Sequence, residues 1–170
     1  MTSFKSLLEE TLDAWENARQ GVIKEVENIP ADKFDFRPTP EVRSVKEQVV
    51  HILEVAMMMT GELTRSDTNF RRAPWPELLK MYASQAYQAA TREALLALLQ
   101  SQLQDGMRKF QAAGELHMLQ FIERFDGEPG TRLAWLQHGI AQEMYHRGQL
   151  TLYARLLGLE PALTRKIRGG

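Results

Sequence analysis

An apolar repeat of helical period, returning four times between breaks, constrains this chain most. From Phe4 to about Asn28, Leu8, Leu12, Trp15, Val22 and Val26 recur at spacings of three, four and seven, as one buried face of an α-helix does. Pro30 ends that segment, because proline has no amide hydrogen and its ring collides with the preceding turn. Ser44 with Glu47 three residues later is a capping box. It opens a second helix, to about Arg65, with Val45, Val49, Ile52, Leu53 and Ala56 on one stripe. Leu95, Leu99, Leu103, Met107 and Phe110 mark a third helix between Thr91 and about Ala113, weakened by Gly106. Thr131 is the N-cap of a fourth, which Gly158 ends and Pro161 stops.

The sequence therefore predicts an all-α fold, a four-helix bundle with long loops between helices, as a single domain over residues 1–170. Residues 30–43 hold three prolines and read as an extended loop whose Phe34 and Phe36 cover a bundle end. Pro76 can open a short helix to about Tyr87. Residues 114–130 lack a clear period and end in the turn D-G-E-P-G, which leaves a strand or a non-helical connection open. The tail TRKIRGG reads as a frayed end.

Composition excludes several kinds of chemistry. The chain has no cysteine, which rules out disulfides, thiolate nucleophiles, iron–sulfur clusters and Cys-ligated zinc. Lys and Arg (21) nearly balance Asp and Glu (22), so the broad attraction that drives nucleic-acid binding is absent, and no nucleic-acid partner is expected. No apolar run approaches the ~20 residues that cross a bilayer. The first residues carry acids and amides instead of a leader-like apolar core. A cytoplasmic protein without a membrane partner is the expectation.

What remains for chemistry is four histidines: His51, His117, His138 and His146. At 100° per residue, His138, Gln142, Tyr145, His146, Gln149 and Tyr153 gather on one side of the last helix, away from Leu133, Leu136, Ile140 and Met144. A solvated face is more commonly rich in Lys and Glu. Ligand atoms on one zinc lie some 3–3.5 Å apart. Residues four apart on a helix, separated by ~6 Å of rise, can close that gap, whereas ~12 Å between residues eight apart is too much. His138 and His146 are therefore not expected on one ion. Gln142 and His146 could share one, and His51 on an adjacent helix could supply a third donor. Three protein donors with open positions are what a catalytic metal site needs.

The segment F-D-F-R-P-T-P-E-V-R-S-V-K-E-Q-V-V-H-I, with Q-E-M-Y-H-R-G-Q-L-T-L-Y-A-R-L-L-G-L-E-P much later, resembles the DinB-like (YfiT/DinB) superfamily. The likeness covers the first two long helices and the last, and the middle only by helix order. It implies a four-helix bundle holding a divalent metal, zinc or nickel, on three histidines. One of these comes from the second helix and two, four apart, from the last. Carried over by position, the ligands fall on His51, Gln142 and His146. Gln142 departs from the pattern, since the family usually has His there, and an amide oxygen is a weaker, harder donor than imidazole. His138, Tyr145 and Tyr153 are expected to line the cleft or support the ligands, and His117 to be a surface or loop residue.

Two functions follow as expectations. One is a metal-dependent enzyme, a thiol-dependent transferase or a hydrolase, acting on a small molecule. A low-molecular-weight thiol would supply the sulfur this chain lacks. The other is a non-catalytic, stress-associated protein that binds small molecules or metal and has a degraded site. The resemblance also implies a homodimer. Q-E-M-Y-H is further similar to H-E-x-x-H, in which the Glu is a general base, and that likeness would give Glu143 this role, although it projects about 100° around the helix from Gln142. Met57, Met58 and Met59 read as pliable core or pocket lining.

Overall fold

A computed structural model describes residues 5–169; Phe4, where the sequence begins its first helix, lies outside them. Helix α1 spans Leu7–Asn28 and α2 Val45–Leu63, each opened by a complete capping box, Ser6 with Glu9 and Ser44 with Glu47. A single 3-10 turn, Ala31–Lys33, sits in the proline-containing loop between them. Short helices α3 (Trp75–Tyr82) and α4 (Ser84–Gln88) lead to α5 (Arg92–Ala113), capped by Thr91 and closed by Gly114 at φ 79°. One turn of helix, α6 (Glu115–Met118), precedes a small antiparallel hairpin. In it β1 (Phe121–Glu123) pairs with β2 (Pro129–Thr131) in the register Ile122 to Gly130. The stretch that had no period in sequence is thus largely a hairpin, with Gly127 taking the positive φ its turn requires. Helix α7 (Arg132–Leu156) starts on the Thr131 cap, and α8 (Ala162–Ile167) ends the described chain.

The four long helices form the bundle. Around it, α1 neighbours α5 and α7, and α2 neighbours the same two, so α1 and α2 stand diagonally although they follow each other in the chain. One apolar cluster gathers Leu12, Met58, Phe70, Phe110 and Leu136 toward one end. A second gathers Val26, Val49, Leu53, Leu95 and Leu150 toward the other. Between them lies a buried polar layer to which all four long helices contribute. Arg19, with no exposed surface, donates to Glu143 through Nε at 2.8 Å and Nη2 at 2.6 Å. Trp15 Nε1 donates to the same carboxylate at 2.7 Å, and Arg19 Nη1 donates to Gln102 Oε1 at 2.9 Å. Gln102 Nε2 in turn donates to Thr60 Oγ1 at 3.3 Å. A charge pair this deep offsets its desolvation only because nearly every hydrogen and lone pair finds a partner.

The C-terminal segment corrects the expectation of a frayed tail. Gly158, at φ 77°, follows the end of α7, Pro161 is the N-cap residue of α8, and the buried carboxylate of Glu25 on α1 accepts from the amides of Ala162 (3.1 Å) and Leu163 (3.4 Å). Asn28 Nδ2 donates to the Glu160 carbonyl at 2.9 Å, which ties the same segment to the end of α1.

Candidate functional site

The seam between α2 and α7 carries the site. On α2, Ile52 and Leu53 are buried in the core, and their neighbour His51 faces α7. On α7, Gln142 and His146 lie one turn apart, and Gln142 Nε2 is 3.2 Å from His146 Nε2 and 3.4 Å from His51 Nε2. The two imidazole rings stand edge to face with centroids 4.9 Å apart. His51, Gln142 and His146 therefore meet. Among the described residues no three His, Cys, Asp or Glu side chains converge in the same way.

The opposite ring nitrogens are also held. His51 Nδ1 is 2.9 Å from Glu54 Oε2, and His146 Nδ1 is 2.8 Å from Gln149 Oε1. Both partners are acceptors, so each Nδ1 carries the proton and each Nε2 turns a lone pair toward Gln142. His146 is 3% exposed, and burial holds its imidazole below the ordinary 6.5, which keeps that lone pair free at neutral pH. Burial alone would raise the Glu54 carboxyl. Hydrogen bonds from His51 and Tyr87, with the charge of Arg43, outweigh it and hold Glu54 below 4.5. Glu54 and Gln149 were not singled out for this work from sequence. The available signal was their spacing, an acceptor three residues after each histidine.

Whether these residues suit a divalent cation turns on Gln142. As placed, its amide nitrogen offers hydrogens to both imidazoles. Rotating the terminal amide about a soft torsion brings Oε1 inward and yields two nitrogens and one oxygen around a point. That set fits a borderline divalent ion, with an oxygen replacing one imidazole.

The other sequence candidates fall elsewhere. His138 is exposed and stacked flat on Trp135, with centroids 4.9 Å apart, and makes no contact with the pair. Tyr145 is 65% exposed with its ring edge-on to His146 at 5.1 Å. Tyr153 is buried, and its hydroxyl donates to the Arg43 carbonyl at 2.9 Å. His117 is part-buried and not a loop residue: its Nε2 lies 3.0 Å from the Leu63 carbonyl at the end of α2, which the buried Arg132 also caps. Glu143 points into the core with both oxygens occupied by Trp15 and Arg19, so it is no general base. Met58 and Met59 are buried core. A cavity of about 530 Å³ opens beside His51 and Glu54, walled by the loop before α2 and its first turns.

A helical bundle that brings two lone-pair-bearing imidazoles and an amide together across one seam is the class of protein that fold and site define. More particularly, the chain belongs to the DinB family, whose model matches residues 1–168. Its fold is similar to that of YfiT from Bacillus subtilis, described as a probable metal-dependent hydrolase with an unusual four-helix bundle topology. The TM-score is 0.71 at 17% identity, over 94% of this chain and 93% of that one. A DinB-like protein of Bacillus subtilis is also similar, with a TM-score of 0.65 at 20% identity, over 88% of this chain and 92% of that one. At such identities the likeness shows the fold alone. No curated protein sequence matches the chain. Among the described residues no helix is long and apolar enough to cross a membrane.

Proposed function

We propose that this protein is a divalent-metal-dependent hydrolase or thiol-dependent transferase acting on a small molecule, with zinc or nickel held by His51, His146 and the Oε1 of Gln142. The observation that carries this reading is the pair of Nε2 lone pairs turned to one point while Glu54 and Gln149 fix both rings from behind. The metal-dependent character ascribed to YfiT adds support. A bound cation supplies Lewis acidity, lowering the pKa of a water or thiol that it holds. The protein's own part is to aim both imidazoles and, by burial, to hold His146 neutral. A thiol, where one reacts, comes from the substrate, since the chain has none. Exposed Met144, Tyr145, Leu152 and Leu156 along the outer side of α7 support a homodimer, and a cytoplasmic location belongs to the same proposal.

A second reading rests on the placement of the Gln142 nitrogen, within hydrogen-bond reach of both imidazoles. There the amide takes the cation's place, and the protein is a non-catalytic small-molecule binder. Metal analysis of untagged protein, followed by thermal melts with Zn²⁺, Ni²⁺ and Mn²⁺, separates the two. A cation bound by the folded state raises Tm by mass action. Absence of both retained metal and any shift overturns the first reading and leaves the second.

A further inference from the structure

The ion pair at mid-bundle sets the hydrogen-bonding polarity of a cavity that neither of its members lines. This cavity, of about 530 Å³, lies between α2 and α5, and His51, Gln142 and His146 take no part in its walls. Arg19 can only donate, so Gln102 turns its oxygen to Arg19 Nη1, at 2.9 Å, and its Nε2 the other way. One Nε2 hydrogen goes to Thr60 Oγ1 at 3.3 Å, and the other has no acceptor among the described residues. Thr60 is left in the same position. Thr11, Thr64 and Thr151 each donate the hydroxyl to the carbonyl one turn back, whereas Thr60 makes no such bond among the described residues. Thr60 and Gln102 are 3% and 6% exposed, and both line the cavity. Its floor therefore offers two buried, unspent hydrogens.

The rim has the matching charge. Three charged side chains line the cavity, Asp105, Arg108 and Lys109, two cations on one carboxylate. Asp105 accepts from Lys109 at 2.7 Å and from a single Arg108 nitrogen at 3.4 Å. One carboxylate cannot neutralise both, so a net positive charge and several N–H donors stay open to a guest. On the α3 side the wall is Tyr82, whose hydroxyl is spent on Glu62, and Glu62 is itself matched by Arg72. No free carboxylate is added there. The Tyr82 ring occupies the space that a Cβ on Gly61 would need. Glycine thus lets this wall lie directly on α2, and the cavity is already formed in the folded chain.

We propose that this cavity is a second ligand site, for a small molecule bearing an anionic oxo group, a carboxylate or a phosphate. Its oxygens accept from Thr60 and Gln102, and its charge lies beside Arg108 and Lys109. An oxyanion accepts several hydrogen bonds at once, and bonds to a charged acceptor are roughly twice as strong as neutral ones. The site goes beyond the metal reading and stands without it, since it lies on the other flank of α2 and shares no residue with the seam.

Magnetic-resonance titration of the ¹⁵N-labelled full chain in EDTA with succinate, inorganic phosphate and uncharged succinamide tests this. Succinate or phosphate shifts the Gln102 side-chain amide together with the backbone amides of residues 101–109, and succinamide does not. The tighter of the two anions identifies the group. Arg108→Gln and Lys109→Gln each weaken anion binding by about tenfold, the loss of one charge-assisted hydrogen bond. Asp105→Asn removes the competing carboxylate and tightens it by about twofold to fivefold, a gain that a merely structural role would not give. Added salt weakens binding. Unchanged melting temperatures of the three variants show that the fold is intact. Succinamide binding as tightly as succinate, no shift with either anion, or an affinity that none of the three variants moves overturns the site. Shifts confined to the amides around His51 and His146 place the anion in the α2–α7 seam and overturn it as well.

Discussion

The rings of His51 and His146 stand at 89° to each other with centroids 4.9 Å apart, one from α2 and one from α7, and the amide of Gln142 lies within hydrogen-bond reach of both. Gln142→His puts a third imidazole where an amide now is. Zinc affinity is expected to rise on the order of tenfold, read by titration against a competing chelator. An unaltered affinity in a folded variant removes Gln142 from the ligand set.

Glu54 and Gln149 hold the far sides of those rings. Glu54→Leu and Gln149→Leu are each expected to lower metal affinity by about 10–100-fold while the far-ultraviolet circular dichroism stays that of the wild type. Affinities within twofold of the wild type would mean that the rings are aimed by packing alone.

The buried layer at mid-bundle makes a stability prediction. Glu143→Leu leaves Arg19 charged and unpaired among apolar groups, and urea denaturation is expected to show a loss of about 3–5 kcal/mol. The double variant Arg19→Met with Glu143→Leu removes both charges and is expected to recover most of that loss. If the double variant falls as far as the sum of the single ones, the ion pair is not what the layer depends on.

Glu25 caps α8 with a buried carboxylate. Glu25→Ala is expected to cost about 0.5–2 kcal/mol and to speed amide hydrogen exchange across residues 162–167 while the rest of the bundle stays protected. Exchange unchanged in that segment would show that packing alone retains it.

Much of this architecture was legible because helices announce themselves twice, by period and by cap. Leu8, Leu12, Trp15 and Val26 are all buried, and Ser44 and Thr131 cap the helices assigned to them. The hairpin stayed an open alternative, a strand or a non-helical connection, because three-residue strands are too short to display an alternation. Helix α8 escaped because six residues are too few to show a period, and its first amides depend on Glu25, far away in sequence. At the candidate site, spacing on α7 selected Gln142 and His146 without His138. The inward turn of Glu143 follows from its 100° offset, yet its partner Arg19 could not be read from α1 alone.

The pairing of Arg19 with Glu143 also sets a timetable for the chain as it is made. These residues lie 124 positions apart. At ribosomal speeds of about 5–20 residues per second, the arginine waits roughly 6 to 25 s for its carboxylate to be synthesised. Helix α1 meanwhile cannot close on α2, which stands across the bundle from it. A nascent chain can therefore pack its first helix on α5 before α7 exists, and Arg19 stays without its counter-ion over that interval, a window in which holding chaperones would find an open, half-assembled client.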